Sequence, residues 1–310
     1  METDRDIILG AFGYRLRVSP YGASLRGLWK LHGSTEYVLI TGYEGASAKL
    51  GGQGDLLIPF PGRIKNGQYR FDGADYQLER NDKDGPNAIH GYMRTLIWEI
   101  TSQSERSIAF TAVLPQGSHS GYPWSLEAEM TYSLEVQGLR CSLAITNRSE
   151  SAAPVAAGFH PYFTPGCAEG LIDTWELQLP YQHYLEFENL IPTGKALPVV
   201  GSEFDFVESH AIGDTRFNTC FLNPIRDEDG MVRIKLKDPA SNNGIEVWAD
   251  GALDYLVVYS GDPLPPSHRR RSLAIEPMTC SADGFNHPEW GLIRLGPGET
   301  TTSAWGVIAK

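Results

Sequence analysis

The chain has 310 residues, 41% of them hydrophobic and 21% charged, and a net charge of −12 at neutral pH. That length can bury a sizeable core without disulfides or metals, and the mix is that of a globular protein. The negative charge excludes nucleic acid and anionic membrane surfaces as main partners.

No apolar run approaches the roughly 18 residues of a membrane span. The opening METDRDIILGAFG has no basic segment followed by an apolar one, so no secretory leader is expected. In chain order, period-two alternation marks strands at SIAFTAVLP (107–115), LEAEMTYSLEV (126–136) and LRCSLAITN (139–147). It continues at VRIKLKD (232–238), GIEVWAD (244–250) and SLAIEP (272–277). Turn chemistry separates these runs, as in EVQGL, PQGSHSGYP, EDG and ADGALD. No amphipathic helix longer than about three turns is evident, which argues against a parallel α/β sheet. The 33 glycines and 20 prolines are spread evenly, so no linker divides the chain. The expectation is all-β: one large antiparallel, sandwich-like domain over residues 1–310. The four cysteines, Cys141, Cys167, Cys220 and Cys280, lie far apart with no CxxC pair. Neither disulfides nor a metal site is expected, and a reducing cytoplasm is the expected compartment.

Four stretches concentrate unusual side chains: PFPGRIKNGQYRFDG (59–73), NAIHGYMRTLIWE (87–99), AGFHPYFTPG (157–166) and AIEPMTCSADGFN (274–286). Glu276 ends an apolar run just before Pro277; desolvated there, its carboxyl pKa would rise toward that of a general base. Its plainer reading is a surface carboxylate at a strand end. His90 and His160 stand in apolar and aromatic company, where a histidine is either a packed core residue or an acid working near neutral pH. Arg63, between prolines and an NG turn, is either a solvated loop residue or a guanidinium fork for sugar oxygens. Trp98, Trp124, Tyr162, Phe163 and Phe285 could offer apolar faces to a sugar, although most aromatics in a sandwich are core.

No HExxH, GxSxG or phosphate loop is present, and GGQG (51–54) reads as a flexible turn. HRRR (268–271) reads as a solvated run and is the only local anion-binding candidate. A glycosidase needs two carboxylates flanking one bond, and only Glu276 stands out.

Taken in order, PGRIKNGQYRFDGADYQLERN (61–81), NAIHG (87–91), SGYPW (120–124), LRCSLAITNRS with PVAAGFHPYF (139–163) and AIEPMTCSADGFN (274–286) resemble the aldose 1-epimerase (galactose mutarotase) family. The resemblance runs from about residue 10 to the C-terminus. It implies a galactose-mutarotase-like β-supersandwich with its site on a concave face. It also implies roles: Glu276 takes the proton of the C1 hydroxyl, His160 protonates the ring oxygen, and His90 and Arg63 hold substrate oxygens. No cofactor or metal is implied. The implied partner is a small sugar, and the chain is expected to act as a monomer or homodimer. Family members carry an aspartate in a D-x-x-F motif that binds sugar hydroxyls. Here NTCF (218–221) puts Asn218 in its place, while DTRF (214–217) offers Asp214 in another register. Two other functions stay open: action on hexose 6-phosphates, with HRRR holding the phosphate, and a non-catalytic carbohydrate-binding or sensing role.

Overall fold

The computed structural model describes residues 5–166 and 170–310. Cys167 therefore lies outside the described residues. Two large antiparallel sheets carry the architecture, twelve-stranded and nine-stranded among the described residues.

The nine-stranded sheet contains the alternating runs Ser107–Leu114, Leu126–Glu135 and Gly138–Asn147, paired in sequence order. Thr300–Ala309 pairs with Gly138–Asn147 on one side and with Gly244–Ala249 on the other; Val232–Lys237 follows. In Leu126–Glu135 every second residue is buried, so one face is core and the other polar, as alternation requires.

The twelve-stranded sheet holds the chain's start and the pieces that matter for function. Ile7–Ala11, Tyr14–Ser19, Ser24–His32 and Thr35–Thr41 form a meander, which continues through Tyr162–Phe163 to Leu273–Met278. Then come Tyr255–Tyr259, Asn218–Pro224, Tyr181–Glu188 and Ile191–Pro198. Leu273–Met278 is buried at every position because the sheet is covered on both faces there.

Residues from both sheets share one apolar core, from Ile7 to Val307. Trp305 of the nine-stranded sheet keys it to the other, with ring centroids 5.7 Å from Phe159 and 6.0 Å from Phe163. Tyr132 adds a polar tie, donating its hydroxyl to the Ala23 carbonyl at 2.7 Å. Phe159 and Phe163 bracket His160, so this packing reaches the site. Trp305→Ala should cost about 3–5 kcal/mol of stability, the usual range for emptying a buried large aromatic site. Urea unfolding monitored by circular dichroism reads the loss; a cost near zero would contradict the keying role.

Candidate active site

The site follows from strand register. Cys220 pairs with Val257, and Val257 with Glu276, across three adjacent strands. Side chains opposite one another in a sheet share a face, and so do residues two apart. Asn218, Tyr259 and Met278 therefore join that row, and all six side chains line one cavity of about 560 Å³. Small-molecule sites commonly have volumes of a few hundred to about a thousand Å³.

His160 enters from the link between the short strands Gly158–Phe159 and Tyr162–Phe163. Its Nε2 lies 3.4 Å from Glu276 Oε1, with both side chains almost fully buried. Tyr162 stacks on the His160 ring, centroids 5.2 Å apart and planes 9° from parallel, and donates its hydroxyl to the Gly51 carbonyl. The His160 backbone is pinned too, its N–H donating to the Asp55 carbonyl and its carbonyl accepting from the Gly54 N–H. Nδ1 of His160 is buried with no partner among the described residues.

A two-stranded ribbon brings in the other wall. Arg63–Ile64 pairs with Ala88–Ile89, which sets Arg63 opposite Ile89 and beside His90. The His90 ring stands edge-on to His160 with centroids 5.6 Å apart, and its Nδ1 accepts the Gly62 N–H. That bond fixes the tautomer and leaves Nε2 to carry the proton. Arg63 is clamped by Asp82, with Nε to Oδ2 at 2.8 Å, and Asp84 lies 3.6 Å away. The Asp82 carboxylate also accepts from Asn87 Nδ2 and the Asp84 N–H. Burial pushes its pKa up, but these hydrogen bonds outweigh it and hold the group below the ordinary value.

Behind the histidines sits a second clamp. Asp55 is buried and paired with Lys49 at 2.8 Å and Arg94 at 3.1 Å. Burial raises its pKa while the two cations oppose that rise. Arg94 also lines the cavity.

Burial dominates the titration of the floor. It depresses His160 to about 3, with the Arg94 and Lys49 charges adding to the shift. His90 is held well below its ordinary value by burial, then by His160, Arg94 and Arg63. Burial lifts Glu276 well above its ordinary value. The pair is thus built to hold one proton between two groups, each disfavoured in its charged form.

Arg63, His90, His160, Glu276 and Asn218 all line the one cavity. Asp214 does not: it is exposed in the turn before the strand that begins at Asn218. GGQG is a turn, as expected, and it is also a wall of the site. Gly51 and Gly52 line the cavity in left-handed conformations, φ 54° and 74°, and a Cβ on Gly52 would sit 2.8 Å from His160 Cδ2. The HRRR run is also not a wholly solvated anion site. Arg270 is buried, with Nε 2.6 Å from Asp173 and NH1 3.3 Å from Asp262, and it donates to the Gly213 and Thr215 carbonyls. Its charge is already neutralised, and Arg269 and Arg271 face solvent. Trp98, Trp124, Phe163 and Phe285 are core, Tyr162 is buried against the His160 ring, and the aromatics that line the cavity are Tyr259 and Phe187. Sequence reasoning missed Asp55, Asp82 and Arg94. The one available signal was proximity: Asp82 lies in RNDKDG just before NAIHG, and Arg94 four residues beyond His90.

Among the described residues no group of side chains could hold a metal ion, and no helix is long and apolar enough to cross a membrane. Cys141, Cys220 and Cys280 are buried and free.

The large antiparallel β-structure and the buried imidazole–carboxyl pair at its cavity floor accord with one class, the epimerase-type isomerases of sugars, and the sequence shows that class. A sequence model of the family described as aldose 1-epimerase matches residues 6–306, and the chain belongs to that family. It is 32% identical to human galactose mutarotase over 258 residues, 76% of this chain and 72% of that one. It is 33% identical to the uncharacterized protein YihR of Escherichia coli over 235 residues, 75% and 71% of the two chains. The maltose epimerase of Levilactobacillus brevis is 25% identical over 252 residues, 76% and 72%. Among solved structures, the GalM/aldose epimerase homologue from C. elegans matches with a TM-score of 0.88 over 99% of both chains, at 18% identity.

Two outcomes test the geometry. His160 stays neutral in the fold down to about pH 3 but takes up a proton near pH 6.5 when unfolded, so its contribution to stability is lost as pH falls through that window. From pH 6.5 to 5 the wild type should lose about 2 kcal/mol more than His160→Gln; equal losses in denaturant titrations would show an ordinary histidine. Gly52→Ala forces a Cβ into the His160 ring from a left-handed backbone, and should cut anomer-exchange activity at least about tenfold while the protein stays folded. Wild-type activity in that variant would remove Gly52 from the site.

Proposed function

We propose that the enzyme interconverts the α and β anomers of a free aldohexose through the open-chain aldehyde. The observation that carries this reading is the 3.4 Å approach of His160 Nε2 to Glu276 Oε1 at the cavity floor. In the reactive form Glu276 is a carboxylate and His160 an imidazolium, the same single proton placed on nitrogen. The carboxylate takes the O1 proton, the C1–O1 bond becomes the carbonyl, and the C1–O5 bond breaks as O5 takes the proton from Nε2. The ring-opened state then faces a carboxylic acid and a neutral imidazole, the forms burial favours for both. Rotation about C1–C2 and the reverse transfers close the ring to the other anomer.

Arg63 and His90 Nε2 supply donors to the sugar oxygens, and Asn218 offers both a donor and an acceptor to a hydroxyl. An unphosphorylated substrate is favoured because each guanidinium in the cavity wall, Arg63 and Arg94, already faces a carboxylate, which leaves the exposed Lys83 as the one lining cation without an ion pair among the described residues. Exchange should accordingly be faster on glucose or galactose than on glucose 6-phosphate. A reducing compartment, the cytoplasm, suits the three free buried cysteines.

Polarimetry or NMR on freshly dissolved α-anomers tests the reading. Glu276→Gln and His160→Ala should each lower kcat by about 10²–10⁴-fold, the usual size of a lost general base or acid. Exchange no faster than buffer with every aldose tried would end the enzyme reading, and an unchanged rate in either variant would end its role assignment.

A further inference from the structure

One polar side chain of the cavity wall has no part in the chemistry described so far, and that is Tyr259. We propose that it is a specificity-determining residue: its phenol donates to the sugar's 2-hydroxyl, next to the reacting carbon, so that 2-deoxy aldoses are poor substrates. The proposal rests on the anomer-exchange reading of the cavity.

Strand order places the residue. Glu276 lies on Leu273–Met278, which has Gly158–Phe159 and Tyr162–Phe163 along one edge and Tyr255–Tyr259 along the other. His160, in the link between the two short strands, therefore stands on one flank of Glu276, and Tyr259 belongs to the opposite flank. The anomeric carbon of a pyranose has three heavy neighbours, O1, O5 and C2. With O1 at Glu276 and O5 at His160, C2 turns toward the flank away from the histidine. Val257 lies opposite Glu276, so Tyr259, two residues along the same strand, is the diagonal neighbour of Glu276 on the same face. Diagonal neighbours in a sheet are about 7–8 Å apart, within reach of an aromatic side chain.

The phenol is held in place and left unbonded. Its ring meets Tyr162 edge-on, with centroids 6.4 Å apart and planes at 86°. Tyr162 stacks on His160, and His160 meets His90, so four rings run in a row along the wall. That row fixes the Tyr259 ring, while its hydroxyl makes no hydrogen bond among the described residues. The side chain is half-buried. Burial raises its pKa, and the carboxylates of Asp262, Glu276 and Asp84 raise it further against the opposing charge of Arg63. The group keeps its proton and serves as a donor.

Its neighbours on that flank do not compete for the 2-hydroxyl. Val257 has no polar group on its side chain. Cys220, paired with Val257 one strand beyond, is a buried thiol whose pKa is pushed up to about 12, and a thiol is a weak donor. Asn218 pairs directly with Tyr259 and lies farther from Glu276, so its amide faces the next hydroxyl along the ring. Tyr259 is left as the strong donor beside C2.

The test follows anomer exchange by NMR on freshly dissolved glucose, galactose and their 2-deoxy analogues, with the wild type and Tyr259→Phe. On the better of the two hexoses the variant should lose about three- to tenfold in kcat/KM, the usual worth of one neutral hydrogen bond. On the 2-deoxy analogue of that hexose the variant should differ from wild type by less than about twofold. Comparing the two proteins on each sugar cancels the sugars' own difference in ring-opening rate. Equal losses on both sugars would show a packing role, and no loss on either would show no contact. Both results overturn the proposal and leave the main reading standing. Should Tyr259→Phe fail to fold, the wild type decides alone. Exchange at least about threefold weaker on the 2-deoxy sugar than on its parent supports the proposal, and equal efficiency overturns it. A wild type inactive on all four sugars would instead be failure of the anomer-exchange reading, and the proposal falls with it.

Discussion

The contact on which the site depends is the one between His160 and Glu276. Neither group chooses its position freely. Glu276 is fixed by its place in the fully covered strand Leu273–Met278, opposite Val257. His160 is fixed by backbone bonds to Asp55 and Gly54, by Tyr162 beneath its ring and by Phe159 and Phe163 packing on Trp305. Both are desolvated, and desolvation disfavours each charged form. A pair held this way rests as carboxylic acid and neutral imidazole, and one proton moved from oxygen to nitrogen gives the base and acid that opening and closing a hemiacetal require.

The surrounding charges keep that balance. Two carboxylate–guanidinium clamps, Asp82 with Arg63 and Asp55 with Arg94, place guanidinium groups at the wall with their charge already paired. Breaking one partner of a buried pair strands the other, so these clamps are costly to lose even where their net stabilisation is small. Asp55 links the two roles, since its side chain holds Arg94 and Lys49 while its carbonyl holds the His160 backbone.

Much of the fold was legible in the sequence because alternation is a local signal. Leu126–Glu135, Gly138–Asn147 and Val232–Lys237 fall where the period-two pattern placed them. The positions of Glu276, His160, His90 and Arg63 within ordered motifs pointed to residues that the structure gathers around one cavity. What stayed hidden depends on pairing across the chain. Nothing local in GGQG shows that His160 packs against Gly52, and nothing in HRRR shows that Arg270 is buried against Asp173, 97 residues away. The choice between Asp214 and Asn218 turned on where one strand begins, a boundary of the kind sequence patterns set least well. Asp55 and Asp82 looked like loop carboxylates because their partners are brought to them only by the fold.

If burial sets the proton balance of the floor, it should be visible in the imidazole itself. A ¹⁵N NMR titration of the His160 ring in the free enzyme reads this directly. The account predicts a neutral imidazole throughout pH 7 to 5, with no midpoint in that range. A midpoint near the ordinary histidine value of about 6.5 would contradict it.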